Sequence, residues 1–109
     1  MTSQPLIGFV TNASVTYTRN LNLNYAALTN QYNSYSRTLD LLSEHSTTRA
    51  PFNGRLTVDN MRYQLKHLFL DLEDVPPYAY IFNTKTNKWY VWEAETRGWI
   101  AFTKLNKKD

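Results

Sequence analysis

The sequence predicts an α+β fold, with one or two amphipathic helices plus a C-terminal three-stranded antiparallel β-meander, preceded by an N-terminal strand or extended arm. This prediction depends on three observations: an echo with a ten-residue period near the C-terminus, apolar residues at helical spacing in two segments, and alternation near the N-terminus. A chain of 109 residues suits an N-terminal arm or strand over residues 1–20 and a single α+β domain over residues 21–109.

The N-terminal segment "SVTYTRN", residues 14–20, alternates apolar and polar side chains. Val15 and Tyr17 lie on one side and threonines on the other, which predicts a strand with one solvated face. The apolar run before it, residues 6–10, is too short for a signal peptide and has no basic region in front of it. We therefore expect synthesis in the cytosol.

The next segment carries apolar residues at alternating spacings of four and three. This heptad pattern predicts an amphipathic helix over residues 22–44, which can either form a coiled coil with copies of itself or pack on the sheet of its own chain. The residues of the pattern are Leu21, Tyr25, Leu28, Tyr32, Tyr35, Leu39 and Leu42.

A connector over residues 45–56 gathers Ser, Thr, Pro, Asn and Gly, and a second helix follows over residues 57–72. Thr57 can cap that helix, because its side-chain oxygen can accept from a backbone amide in the first turn. The apolar positions of the helix are Val58, Met61, Leu65, Leu68, Phe69 and Leu72. Residues 68–72 also alternate as a strand would, so that both assignments stay open for them.

The C-terminal echo predicts strands at residues 78–83, 88–93 and 98–103, in a meander over residues 78–103. Asn83 and Asn87 favour the first turn, and Gly98 favours the second. In simple register Phe82 faces Trp89 and Tyr80 faces Val91, so Trp89 points away from Trp92 and Trp99. Both sheet faces are then apolar, and each needs a helix, a partner chain or a ligand to cover it.

This excess of apolar surface defines a candidate interaction surface made of aromatic residues. Its sheet part is Tyr90, Trp92 and Trp99, and its helical part is Tyr25, Tyr32 and Tyr35.

No residue pattern in the chain indicates catalysis, a metal or another cofactor. The chain has no cysteine, and its histidines, His45 and His67, lack the spacing of metal ligands. We therefore predict a protein that is not an enzyme and needs no cofactor. The basic tail, residues 104–109, is interpreted as a solvated terminus, and the acidic group Asp71, Glu73 and Asp74 as a solvated helix end.

The hairpin segment "YIFNTKTNKWYVW", residues 80–92, resembles the blade hairpin of kelch propellers, but the paired glycines and the length for several blades are missing. The same hairpin style over residues 78–102, in a short, cysteine-free, Asn- and Tyr-rich chain, resembles small tail, collar or head-accessory proteins of tailed bacteriophages. That resemblance implies a structural role in the virion, with copies of the chain and other virion proteins as partners. It carries over no functional residue.

The sequence thus predicts a non-enzymatic virion assembly protein that acts through oligomeric protein–protein contacts. The alternative is a single-stranded nucleic-acid-binding protein, in which sheet aromatics stack on bases and Lys85, Lys88, Arg97 and Lys104 follow the phosphates. Glu93 and Glu95 among these cations make the alternative less favoured. No segment has the length and apolar character of a membrane span, and we expect no membrane partner.

Overall fold

The computed structural model describes residues 5–93, with only the backbone of Leu70 and Glu93. These residues form one five-stranded mixed sheet with the spatial order β3-β2-β1-β4-β5. The strands are β1 (Leu6–Val10), β2 (Ser14–Thr18), β3 (Thr48–Pro51), β4 (Tyr78–Asn83) and β5 (Lys88–Glu93). β1 pairs with β4 in parallel, and the other neighbouring strands pair antiparallel.

Helices cover both faces of the sheet. The helices are α1 (Tyr25–Gln31), α2 (Tyr35–Ser43) and α3 (Val58–Leu70). Met61, Leu65 and Phe69 of α3 pack in one core with Trp92, and Leu28 of α1 packs with α2 residues in the other. The predicted α+β class is therefore confirmed, although the described residues contain three helices rather than one or two.

The β4–β5 hairpin has the predicted register, with Phe82 opposite Trp89 and Tyr80 opposite Val91. Asn83 begins the turn, because its side-chain oxygen accepts from the backbone amides of Lys85 and Thr86. Asn87 closes the turn in the left-handed conformation, with φ of 60°. The predicted third strand, residues 98–103, lies outside the described residues. An isolated meander is nevertheless the wrong description, since the other edge of β4 pairs with β1.

The single helix predicted over residues 22–44 is wrong, because the chain leaves the helical conformation between α1 and α2. Asn24 caps α1, and Ser34 caps α2 by accepting from the amide of Arg37 at 3.3 Å. The carbonyl of Tyr32, between the helices, accepts from Trp89 Nε1 at 2.8 Å. This hydrogen bond fixes the non-helical segment between α1 and α2 against the sheet.

The second predicted helix is confirmed as α3. Thr57 is its N-cap, and its side-chain oxygen accepts from the amide of Asn60 at 3.1 Å. The helix includes Leu68 and Leu70, which resolves the open assignment of that segment in favour of helix as far as residue 70. The predicted connector over residues 45–56 contains β3, a strand that was not predicted.

The strand predicted near the N-terminus is confirmed as β2, whereas β1 was not predicted. All five residues of β1 are buried, and the strand is the middle one of the sheet. Gly8 in β1 sits opposite Tyr17 of β2, where even a Cβ atom would lie 2.2 Å from the carbonyl oxygen of Thr16. The N-terminal segment is therefore the centre of the sheet.

Candidate interaction surface

The sheet residues of the predicted interaction surface lie in the core. Trp92 is fully buried beneath α3, where its ring meets Phe69 edge-on at a centroid distance of 6.0 Å. Tyr90 is 5% exposed and belongs to the same core cluster. The prediction for these two residues is corrected, because α3 of the same chain occupies the place expected for a partner. Trp99 lies outside the described residues.

The helical residues of the predicted surface are partly accessible. Tyr25 and Tyr32 are half-buried, and Tyr35 is exposed, with its ring edge-on to Phe9 at 5.3 Å. The break after α1 rotates the heptad positions, so that Leu28 is buried while Leu39 is exposed. A continuous seam for a coiled coil therefore does not exist in this structure.

Three tyrosines at the start of β4 and α1 form a different aromatic surface, which we call the tyrosine ledge: Tyr25, Tyr78 and Tyr80. The rings of Tyr78 and Tyr80 stack at a centroid distance of 6.2 Å with an interplanar angle of 18°. The ring of Tyr25 lies 5.7 Å from that of Tyr80. Tyr78 is 40% exposed and the other two are half-buried, so the ledge borders the core and reaches solvent.

Tyr25 ties the ledge to β5. Its hydroxyl donates to the carbonyl oxygen of Trp89 at 2.9 Å. Burial, followed by the neighbouring Tyr90 and Tyr80, raises the pKa of Tyr25 from 10.0 to about 12. The phenol therefore stays protonated and uncharged over the physiological pH range, and α1 is held against the sheet by a neutral hydrogen bond.

Tyr78 and Tyr80 were not among the residues predicted to form the interaction surface, although the sequence carries a signal for them. They are two positions apart on one strand, and alternate residues of a strand share a face. α1 covers that face beyond them, at Phe82 and Trp89, while Tyr78 remains outside the helix. The lengths and positions of the covering helices decided which rings stay accessible.

Within residues 5–93, no group of three or more histidine, aspartate or glutamate side chains is arranged to hold a metal ion. In the same part of the chain, no helix combines the length and apolar character needed to cross a membrane. No protein-family model, no curated protein and no solved structure matches the chain.

Proposed function

We propose that this protein is a non-enzymatic assembly component that acts through contacts between copies of itself, with the tyrosine ledge as the contact surface. The proposal includes the role implied by the resemblance to small virion proteins of tailed bacteriophages, with other virion proteins as further partners. The observation that supports it is the ledge itself: the ring of Tyr80 contacts those of Tyr25 and Tyr78, and Tyr78 is 40% exposed at the border of the core.

The chemistry of the ledge suits a contact between proteins. Tyrosine is enriched in binding hot spots, because its ring offers a large contact area and loses little rotational freedom. The ledge contains no acidic or basic side chain, so two copies of it can meet without charge repulsion. Aromatic rings also pair with one another in offset or edge-to-face geometry, so the same rings can meet across a two-fold symmetric contact.

The alternative function, single-stranded nucleic-acid binding on the sheet rings, has less support. Trp89, Tyr90 and Trp92 are each at most 5% exposed. Bases stack only on accessible ring faces. These three sheet rings are therefore packed in the cores of the same chain and offer no face to a base.

Size-exclusion chromatography with light scattering tests the proposal on the full chain. We expect an oligomer, and we expect Tyr78→Ala to raise its dissociation constant about 30-fold, which corresponds to a hot-spot contribution of about 2 kcal/mol. Tyr63→Ala is the matched control, because Tyr63 is 65% exposed on α3 and lies outside the ledge. This control should change the dissociation constant less than about threefold.

Two results would overturn the proposal. One is a wild-type chain that remains monomeric at concentrations of about 100 μM, well above ordinary interface affinities. The other is an oligomer that Tyr78→Ala and Tyr63→Ala weaken to the same degree. Thermal unfolding of both variants verifies that the fold is intact, since each change removes an exposed ring.

A further inference from the structure

A cavity of about 530 Å³ lies at the end of the sheet where the parallel strands β1 and β4 finish. Three loops line it: the β1–β2 turn with Thr11 and Asn12, residues 54–56 between β3 and α3, and the β4–β5 turn with Thr84 and Lys85. Its volume falls within the range of small-molecule pockets, about 300–1,000 Å³. The cavity is separate from the tyrosine ledge, which includes the first residue of β4, at the opposite end of the strand.

Side chains hold two of these loops on the ends of the strands. The Thr84 hydroxyl donates to the carbonyl of Val10 at 2.9 Å, which ties the β4–β5 turn to β1. The Thr11 hydroxyl accepts from the amides of Ala13 and Ser14 at 3.1 and 3.2 Å. Both hydroxyl groups therefore organise the walls of the cavity before any ligand enters.

The third loop is held by α3. Asn60 Nδ2 donates to the carbonyl oxygens of Asn53 and Arg55 at 2.9 and 2.8 Å. Gly54 between them adopts the left-handed conformation with φ of 96°, where a side chain would be strained. The backbone that presents Arg55 to the cavity is thus fixed, while the Arg55 side chain is exposed.

The cavity has a positive lining. Arg55 and Lys85 both line it, and none of the described lining residues is acidic. Within residues 5–93 neither cation forms an ion pair. Lys88 adds a positive charge at the same end of the sheet, and Asp59 in the first turn of α3 adds a negative one. The acidic residues Asp71 and Asp74 follow the other end of α3.

We propose that this cavity binds a phosphate ester, with Arg55 and Lys85 on the phosphate group. A guanidinium fits two phosphate oxygens at once, and an ammonium adds a point charge and further donors. Two cations that form no ion pair within the described residues raise the local concentration of anions in a concave site. Asn12, exposed at the rim, offers an amide donor and acceptor to the rest of the ligand.

The phosphate group can belong to a small molecule or to the backbone of a nucleic-acid strand. Isothermal titration calorimetry on the full chain distinguishes these sources with three probes: thymidine monophosphate, thymidine, and a short thymidine oligonucleotide without terminal phosphates. Binding of the monophosphate but not of thymidine supports a small phosphate ester. Binding of the oligonucleotide alone supports a phosphodiester source in the same cavity.

Variants test whether the cavity is the site. Arg55→Ala and Lys85→Ala should each weaken binding about tenfold or more, because each removes charge-assisted hydrogen bonds. Lys88→Ala is the matched control: it removes a cation at the same end that does not line the cavity, and should weaken binding less than about threefold. Asn12→Trp should abolish binding by filling the cavity while both cations remain.

The proposal is overturned if neither phosphate probe binds at concentrations up to about 10 mM in low salt. The proposal is also overturned if Lys88→Ala weakens binding as much as Arg55→Ala, or if Asn12→Trp binds normally. The phosphate is then attracted by the positive charge at this end of the sheet and not bound in the cavity. All four substituted residues are exposed, so the variants are expected to fold. None of them belongs to the tyrosine ledge, and self-association and phosphate binding therefore fail or succeed independently.

Discussion

Replacing Trp92 with alanine should damage the fold rather than an interface. A buried aromatic side chain removes about 150–250 Å² from water, which corresponds to about 4–6 kcal/mol at 25 cal/mol per Å². Alanine retains part of this burial, and α3 can relax slightly towards the sheet. We therefore expect Trp92→Ala to lower the free energy of unfolding by about 4 kcal/mol, within the usual range for such truncations.

Urea unfolding followed by far-UV circular dichroism measures this loss, because the signal does not depend on the removed indole. With a denaturant dependence of about 2 kcal/mol per M, the midpoint should fall by about 2 M. Trp92→Phe keeps a ring beside Phe69 and should lose less. Tyr63→Ala, on the exposed side of α3, should change the free energy by less than about 0.5 kcal/mol.

A loss below about 1 kcal/mol for Trp92→Ala would refute the placement of this ring in the core. If the variant instead folded normally and no longer associated, the interaction surface predicted from the sequence would be right at this residue. A core position for Trp92 predicts that the variant loses stability, whereas an interface position predicts that it folds normally but no longer associates.

Two further substitutions test the sheet and the attachment of α1. Gly8→Ala should cost about 3 kcal/mol, because the new Cβ would lie 2.2 Å from the Thr16 carbonyl oxygen and 2.7 Å from Tyr17 Cβ. Thermal unfolding should show a fall in Tm of about 12–24 °C, and a fall of only a few degrees would contradict the β1–β2 register. Tyr25→Phe should cost about 1 kcal/mol at neutral pH, since it removes the hydrogen bond to Trp89. With the folded-state pKa of Tyr25 raised to about 12, the folded chain keeps a proton that the unfolded chain loses above about pH 10, so wild-type stability falls as pH rises through this window. The wild type should lose about 1 kcal/mol in this way, after allowance for solvent around a half-buried ring, whereas Tyr25→Phe should not. Urea unfolding at about pH 8 and pH 12 should therefore show the free energies of unfolding of the two proteins converging at the higher pH. A constant difference between them would contradict the burial of the Tyr25 hydroxyl.

The hairpin between β4 and β5 was predictable because its determinants are local. Asn83 accepts from two amides of the turn, and Asn87 adopts the left-handed conformation that asparagine tolerates. Once the turn length is set, the pairing of Phe82 with Trp89 follows. The register of β4 and β5 therefore depends on residues of the hairpin itself.

The break between α1 and α2 depends on a distant part of the chain. Apolar spacing indicated one continuous helix, whereas the Tyr32 carbonyl bonds to Trp89, 57 residues later in the sequence. Ser34 then starts a new helix with its own cap. Periodicity cannot indicate such a break, because an uninterrupted helix and two capped helices can share the same apolar spacing.

The strands β1 and β3 were missed for opposite reasons. The run Leu6–Val10 is the kind of short, continuous apolar segment that forms a strand buried on both faces, but it lacks the alternation that predicted β2 and was assigned only to the N-terminal arm or strand. The sequence of β3 offers no comparable pattern, because Thr48, Arg49 and Pro51 are exposed and the strand forms through backbone pairing with β2. An exposed strand such as β3 leaves little trace in hydrophobicity.

The two-sided core accounts for much of the unusual aromatic content of the chain. A sheet covered by helices on both faces needs apolar side chains at consecutive positions of the same strand, and β5 supplies Trp89 to one core and Trp92 to the other. Folding alone therefore explains these rings, and they are no indication of a partner. The same reasoning does not extend to Tyr78, which is accessible although the adjacent β4 residues are buried or half-buried. A test of assembly should therefore first substitute aromatic residues that stay accessible in the folded chain, such as Tyr78.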